Sequence, residues 1–93
     1  MNLYTGWAPP FFWGEWVTIH QQINGFWDID VRLDTLSPSP STFDIELSID
    51  SEFRIMKLVG PCDYTVQTNN CACTTKARFK SHSVRQLVEV KVS

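Results

Sequence analysis

From Trp27 to Asp34 apolar and polar residues alternate without a break: Trp27, Ile29, Val31 and Leu33 take every second position, with Asp28, Asp30, Arg32 and Asp34 between them. Successive side chains of a strand point to opposite faces, so this segment can bury an apolar face only by being extended. The same period governs Phe43 to Asp50, where Phe43, Ile45, Leu47 and Ile49 alternate with Asp44, Glu46, Ser48 and Asp50. No stretch keeps a helical period, and no internal repeat is visible.

Other runs fit the same class. Val17, Ile19 and Ile23 oppose Thr18, His20 and Gln22, and further strands are expected over about Phe53 to Val59, Tyr64 to Gln67, and Cys71 to Lys80. In the last of these, Cys71, Cys73, Thr75, Ala77 and Phe79 share one face, and Lys76, Arg78 and Lys80 the other. A final run sets Val84, Val88, Val90 and Val92 against Arg85, Glu89 and Lys91, with Leu87 intruding among the charges. Turn chemistry separates the runs at Asn24-Gly25, Ser37 to Ser41, Asp50-Ser51, Gly60-Pro61, Asn69-Asn70 and Ser81 to Ser83. The expected fold is all-β, a small antiparallel β-sandwich or partly open barrel of about six or seven strands. With 93 residues the chain has room for one core, so residues 15–93 read as a single β domain.

Asn24-Gly25 predicts that the first two strands of this domain form an antiparallel hairpin. One conflict accompanies that reading. A two-residue loop sets Ile23 opposite Phe26 and turns Asp28 and Asp30 toward the face of Ile19, so a three-residue loop or a bulge is needed to reconcile the faces.

Residues 1–14 read as an extended aromatic arm: Tyr4, Trp7, Phe11, Phe12 and Trp13 sit among Gly6, Pro9, Pro10 and Gly14. Such rings either fold back over their own core or dock on another molecule. The partner-binding residues expected on the second reading are Tyr4, Trp7, Phe11, Phe12 and Trp13. Gly14-Glu15-Trp16 resembles the Gly-x-Trp opening of lipocalin-type barrels, whose tryptophan closes one barrel end; the likeness covers these three residues.

The formal net charge is −2, but it is divided along the chain. Through Glu52 eight acids face Arg32 alone, and from Phe53 onward seven bases face Asp63 and Glu89. The expected electrostatic faces are Asp28, Asp30, Asp44 and Glu46 against Lys76, Arg78 and Lys80. If the strands carrying the four acids were adjacent, a basic strand, a second copy or a cation would have to neutralise them.

Chemistry has few candidates. His20 and His82 are the only histidines, and neither a phosphate-cradling glycine loop nor a nucleophile elbow is present. Cys62, Cys71, Cys73 and His82 lack a Cys-x-x-Cys knuckle, so no metal or cofactor is expected. An odd number of cysteines reads as reduced thiols more readily than as a disulfide framework. Alternation turns Phe79 away from the strand's bases, which speaks against nucleic acid. The first basic residue is Arg32, and glycines and prolines interrupt the leading apolar run; neither a signal peptide nor a membrane helix is expected, and synthesis in a cytoplasm is.

The expected function is that of a non-enzymatic protein-association module. It is either a subunit of a larger assembly, such as a virion or phage particle, or a small inhibitor-like binder, with itself or another protein as partner. The competing expectation is a barrel or sandwich in which Trp13, Trp16 and Trp27 line a site for carbohydrate or a small apolar ligand.

Overall fold

The computed structural model describes residues 2–34 and 41–93. Eight strands run through them: β1 (Asn2–Ala8), β2 (Val17–Gln21), β3 (Asp28–Asp34), β4 (Ser41–Ile49), β5 (Glu52–Gly60), β6 (Cys62–Gln67), β7 (Thr74–Ser81) and β8 (Gln86–Val92). They form two four-stranded antiparallel sheets, ordered β1-β8-β3-β6 and β2-β7-β4-β5. The pairs β4·β5, β3·β6, β2·β7 and β1·β8 are nested about one central turn, and β3·β8 and β4·β7 complete the sheets. This is the strand order of an eight-stranded jelly roll, a sandwich and not a barrel. Among the described residues no helix is long and apolar enough to cross a membrane.

The alternating residues meet between the sheets. Ile29, Val31 and Leu33 of β3 and Phe43, Ile45 and Leu47 of β4 are buried with Ile19, Ala77, Phe79, Val88, Val90 and Val92. Each fully buried side chain of this size stabilises the fold by about 1.5–3 kcal/mol relative to exposure. The central turn is two residues, Asp50 and Ser51, both at positive φ (51° and 64°), as a tight hairpin between right-twisted strands requires.

Three expectations change. First, β2 and β3 are not a hairpin, because they lie in different sheets and residues 22–27 cross between them. The strand partner of β2 is β7, with Val17 opposite Ala77 and Gln21 opposite Thr74, and a bulge between Thr18 and His20. Gly25 takes its positive φ of 92° in a crossing loop, so the register conflict dissolves because that register does not exist.

Second, β7 begins at Thr74, and Cys71 and Cys73 precede it in the connection from β6. They are disulfide-bonded, and Cys62 is the free cysteine. The loop brings their Cα atoms to 5.3 Å, within bridging range, where an undisturbed strand would hold them farther apart.

Third, the leading segment is not one free arm. Asn2–Ala8 pairs with β8 along its whole length. Leu87 stands opposite Trp7, which explains the apolar intruder in β8. Residues 11–16 continue the line of β2 backwards along β7, with Phe11 N–H donating to Ser81 C=O and Gly14 N–H to Phe79 C=O. The Ser37 to Ser41 loop lies, apart from Ser41, outside the described residues.

Candidate functional site

The outer face of the β2-β7-β4-β5 sheet is built on a charge ladder. Antiparallel register sets Asp44 opposite Lys80, Glu46 opposite Arg78 and Ser48 opposite Lys76. Arg78 holds the Glu46 carboxylate through Nε at 2.6 Å and also through Nη2. Asp44 Oδ2 lies 3.3 Å from Lys80 Nζ and 2.8 Å from His82 Nε2. Burial pushes the Asp44 carboxyl up, but hydrogen bonds from His82 and Lys80, with their charges, outweigh it and hold the group below its ordinary value.

Two tryptophans cover the ladder. The Arg78 guanidinium lies 4.6 Å from the centre of the Trp13 ring and 4.9 Å from that of Trp16, and Lys80 Nζ lies 4.9 Å from Trp13. Each such contact contributes about 0.5–1 kcal/mol when exposed and more when dehydrated. Trp16 also meets Phe53 of β5 edge-on, with ring centres 5.8 Å apart. Trp16 therefore sits outside the sheet, and does not close a barrel end as the lipocalin-like opening implies.

Next to the ladder lies an open edge. β5 is terminal in its sheet, and among the described residues its nine residues pair on one side only. Met56 and Leu58 pack on the core, while Phe53 and Ile55 are each 64% exposed and Val59 is 59% exposed on the outer face. The β2 edge differs, being short, bulged and prolonged by the irregular 11–16 segment. A long, regular edge with exposed apolar side chains is a template for another strand.

The five expected partner-binding residues separate into two groups. Tyr4 packs on the core and stacks on Phe79, with ring centres 6.2 Å apart, and Trp13 lies against Arg78 and Lys80. Trp7, Phe11 and Phe12 are exposed, Trp7 beneath the Arg85 guanidinium at 4.6 Å. The divided charge of the sequence interleaves in space. β3 and β4 lie in different sheets, so Asp28 and Asp30 are not neighbours of Asp44 and Glu46. Asp30 stands opposite Lys91 and accepts from Thr65 Oγ1 at 3.2 Å, and Asp28 stands opposite Gln67. Phe53, Ile55 and Val59 are the residues sequence reasoning passed over. Their signal was that Phe53 to Val59 has apolar residues on both faces, which a half-buried strand does not need.

At one end of the sandwich the β2–β3 and β6–β7 connections are tied together by Gln22. The two N–H groups of its Nε2 are shared among the carbonyls of Gly25 (2.9 Å), Asn69 (2.7 Å) and Cys71 (3.0 Å). Its backbone exchanges both hydrogen bonds with Cys73, and Gly25 N–H donates to Asn70 Oδ1. A cleft of about 350 Å³ opens here, lined by residues that include His20, Gln22, Asn24 and Trp27. The four candidate zinc ligands are not assembled: Cys62 is on β6, His82 bonds Asp44, and Cys71 and Cys73 bond each other. Asp50 does approach that pair, but the disulfide removes both sulfurs as thiolate ligands.

Comparison of the chain with protein-family models, curated proteins and solved structures finds no match. The class that the fold defines is the eight-stranded, two-sheet antiparallel sandwich.

Proposed function

We propose that the chain is a non-enzymatic protein-association module whose first contact is with a second copy of itself, edge to edge along β5. The carrying observation is the open nine-residue edge with Phe53, Ile55 and Val59 exposed on its outer face. Charge excludes some registers. Antiparallel pairing centred on Arg54 or Lys57 sets each base against its own copy, which is unfavourable. Centring on Met56 sets Phe53 opposite the second copy's Val59, Ile55 opposite Lys57 and Arg54 opposite Leu58, with no like charges face to face. The two sheets then join into one of eight strands.

Phe11 and Phe12, exposed at the far end of the same sheet, supply the second contact that an assembly beyond a dimer needs. By analogy of fold alone, jelly rolls serve as capsid subunits, which favours the reading as a virion or phage component.

The test is mass in solution by light scattering across concentration, for the native chain and for Ile55→Lys. Ile55 is exposed, so the variant keeps its fold while setting two lysines across the contact. The expected result is a concentration-dependent dimer that the substitution abolishes. A native chain that stays monomeric at millimolar concentration overturns the reading, as does a dimer indifferent to Ile55→Lys.

A further inference from the structure

We infer that Cys71, Cys73 and Asp50 form a redox-gated zinc site, closed while the two cysteines are bonded to each other and open once a thiol reductant has parted them. The sheet register assembles it. Gln21 stands opposite Thr74 and Ile49 opposite Thr75, so Cys73, just before β7, lies between the end of β2 and the β4–β5 turn that carries Asp50. The three side chains offer ligand atoms that all lie within 4.8 Å of one another, the sulfurs partly buried and the carboxylate exposed. Zinc–sulfur bonds of about 2.3 Å hold two thiolates of a tetrahedral ion roughly 3.8 Å apart, so side-chain rotation is all that zinc asks of the parted pair.

The place of the pair does not depend on its covalent bond. Backbone hydrogen bonds in both directions join Gln22 to Cys73 at 3.0 and 3.1 Å, and Gln22 Nε2 lies 3.0 Å from the Cys71 carbonyl and 3.7 Å from Cys71 Sγ. None of these contacts needs the disulfide, and together they keep both sulfurs beside Asp50. A bridge across one intervening residue removes little entropy from the unfolded chain, so opening it costs the fold little. Two thiolates and a carboxylate carry three negative charges. Zn²⁺ cancels two, and Lys76, on the wall of the hollow that opens onto Asp50 and Cys73, offsets the third. Thiolate sulfur selects zinc over magnesium or calcium, which take oxygen, and the open hollow leaves the fourth position to water. The opening step is thiol–disulfide exchange. A small thiol such as reduced glutathione attacks one sulfur, forming a mixed disulfide and releasing the other cysteine; a second small thiol then leaves with the first as their own disulfide and frees the remaining cysteine. Zinc binding displaces both thiol protons to solvent.

The experiment titrates the full chain with Zn²⁺ in competition with the chromophoric chelator zincon, and with Co²⁺ for its thiolate charge-transfer absorption. The chain is taken oxidised, and again after reduction by a phosphine that is then removed under nitrogen. Two variants are reduced alongside it. Cys62→Ser removes the third thiol, and Asp50→Asn removes the carboxylate while tolerating the positive φ of 51° at this turn. The reduced chain is expected to take one equivalent of zinc and the oxidised chain none, with the cobalt band retained in Cys62→Ser. Asp50→Asn is expected to bind about tenfold more weakly or worse. The nitrogen–proton correlation spectrum of the reduced, zinc-free chain should match that of the oxidised chain outside residues 69–76. The inference is overturned if the reduced chain leaves zinc with zincon, if the oxidised chain takes it, or if Cys62→Ser loses the cobalt band. It is overturned equally if Asp50→Asn binds as the native chain does, or if reduction alone displaces the resonances of the two sheets.

Discussion

The Asp44 carboxylate accepts a hydrogen bond from His82 Nε2 at 2.8 Å while the same oxygen lies 3.3 Å from Lys80 Nζ, so one central β4 residue holds the end of β7. With its folded-state value below the ordinary one, the folded chain binds fewer protons here than the unfolded chain in the carboxylate range. The stabilisation is therefore present above the ordinary value and lost as pH falls through the lower, folded-state value. Urea unfolding from neutral pH into acid should show Asp44→Asn costing about 1–3 kcal/mol at neutral pH. The gap between native chain and variant should close in acid, and a gap that persists there refutes the linkage.

Arg78 combines two jobs that lysine cannot share. Its planar group binds Glu46 through two nitrogens and lies against Trp13 and Trp16, whereas an ammonium is a point charge. Arg78→Lys should lose about 1–2 kcal/mol in denaturant unfolding. Arg78→Ala should lose about 3 kcal/mol or more, because Glu46 is buried and would be left unpaired. No loss for Arg78→Lys would show that stacking and double bonding add nothing beyond charge.

The two faces of the β4–β5 pair should respond oppositely to truncation. Leu47 is fully buried, and Leu47→Ala should cost about 2–5 kcal/mol. Ile55→Ser, measured at a dilution that keeps the chain monomeric, should change stability by about 0.5 kcal/mol or less. Reversed magnitudes would mean that the strands present the other faces to the core.

These side chains also show what was legible in the sequence. β3 and β4 could be read directly, since each alternates one apolar and one charged face and only one register buries Val31 or Ile45. The partners of strands were not legible. Asn24-Gly25 supplies positive φ to a hairpin and to a crossing loop alike, and the mismatch of Ile23 with Asp28 was the one local sign that β2 and β3 part. The charge halves called for a neutralising partner, with a basic strand of the same chain as one of three options, but did not say which of the three. Nesting of the jelly roll brings acidic β4 beside basic β7, a relation thirty-odd residues apart in the chain that no local pattern encodes. β1 went unseen because Gly6 and the following prolines mask a strand whose partner, β8, is the last in the chain. The edge at β5 was visible only as surplus: Ile55-Met56 and Leu58-Val59 put apolar side chains on both faces, and only the fold shows which face is bare.

Thiol chemistry provides the sharpest count. With Cys71 bonded to Cys73, the denatured chain should react with one equivalent of a thiol reagent before reduction and three after it. In the folded chain the remaining thiol, Cys62, is partly buried against the core, and burial, followed by the charge of neighbouring Asp63, raises its pKa. Alkylation acts on the thiolate, so the folded chain should react more slowly at neutral pH than the denatured one. Asp63→Asn removes the smaller of the two causes and leaves burial in place. The rate should therefore rise modestly, and stay well below that of the denatured chain. More than one reactive equivalent before reduction would show that Cys71 and Cys73 are thiols, and a native rate equal to the denatured one would show that Cys62 stands free of the core.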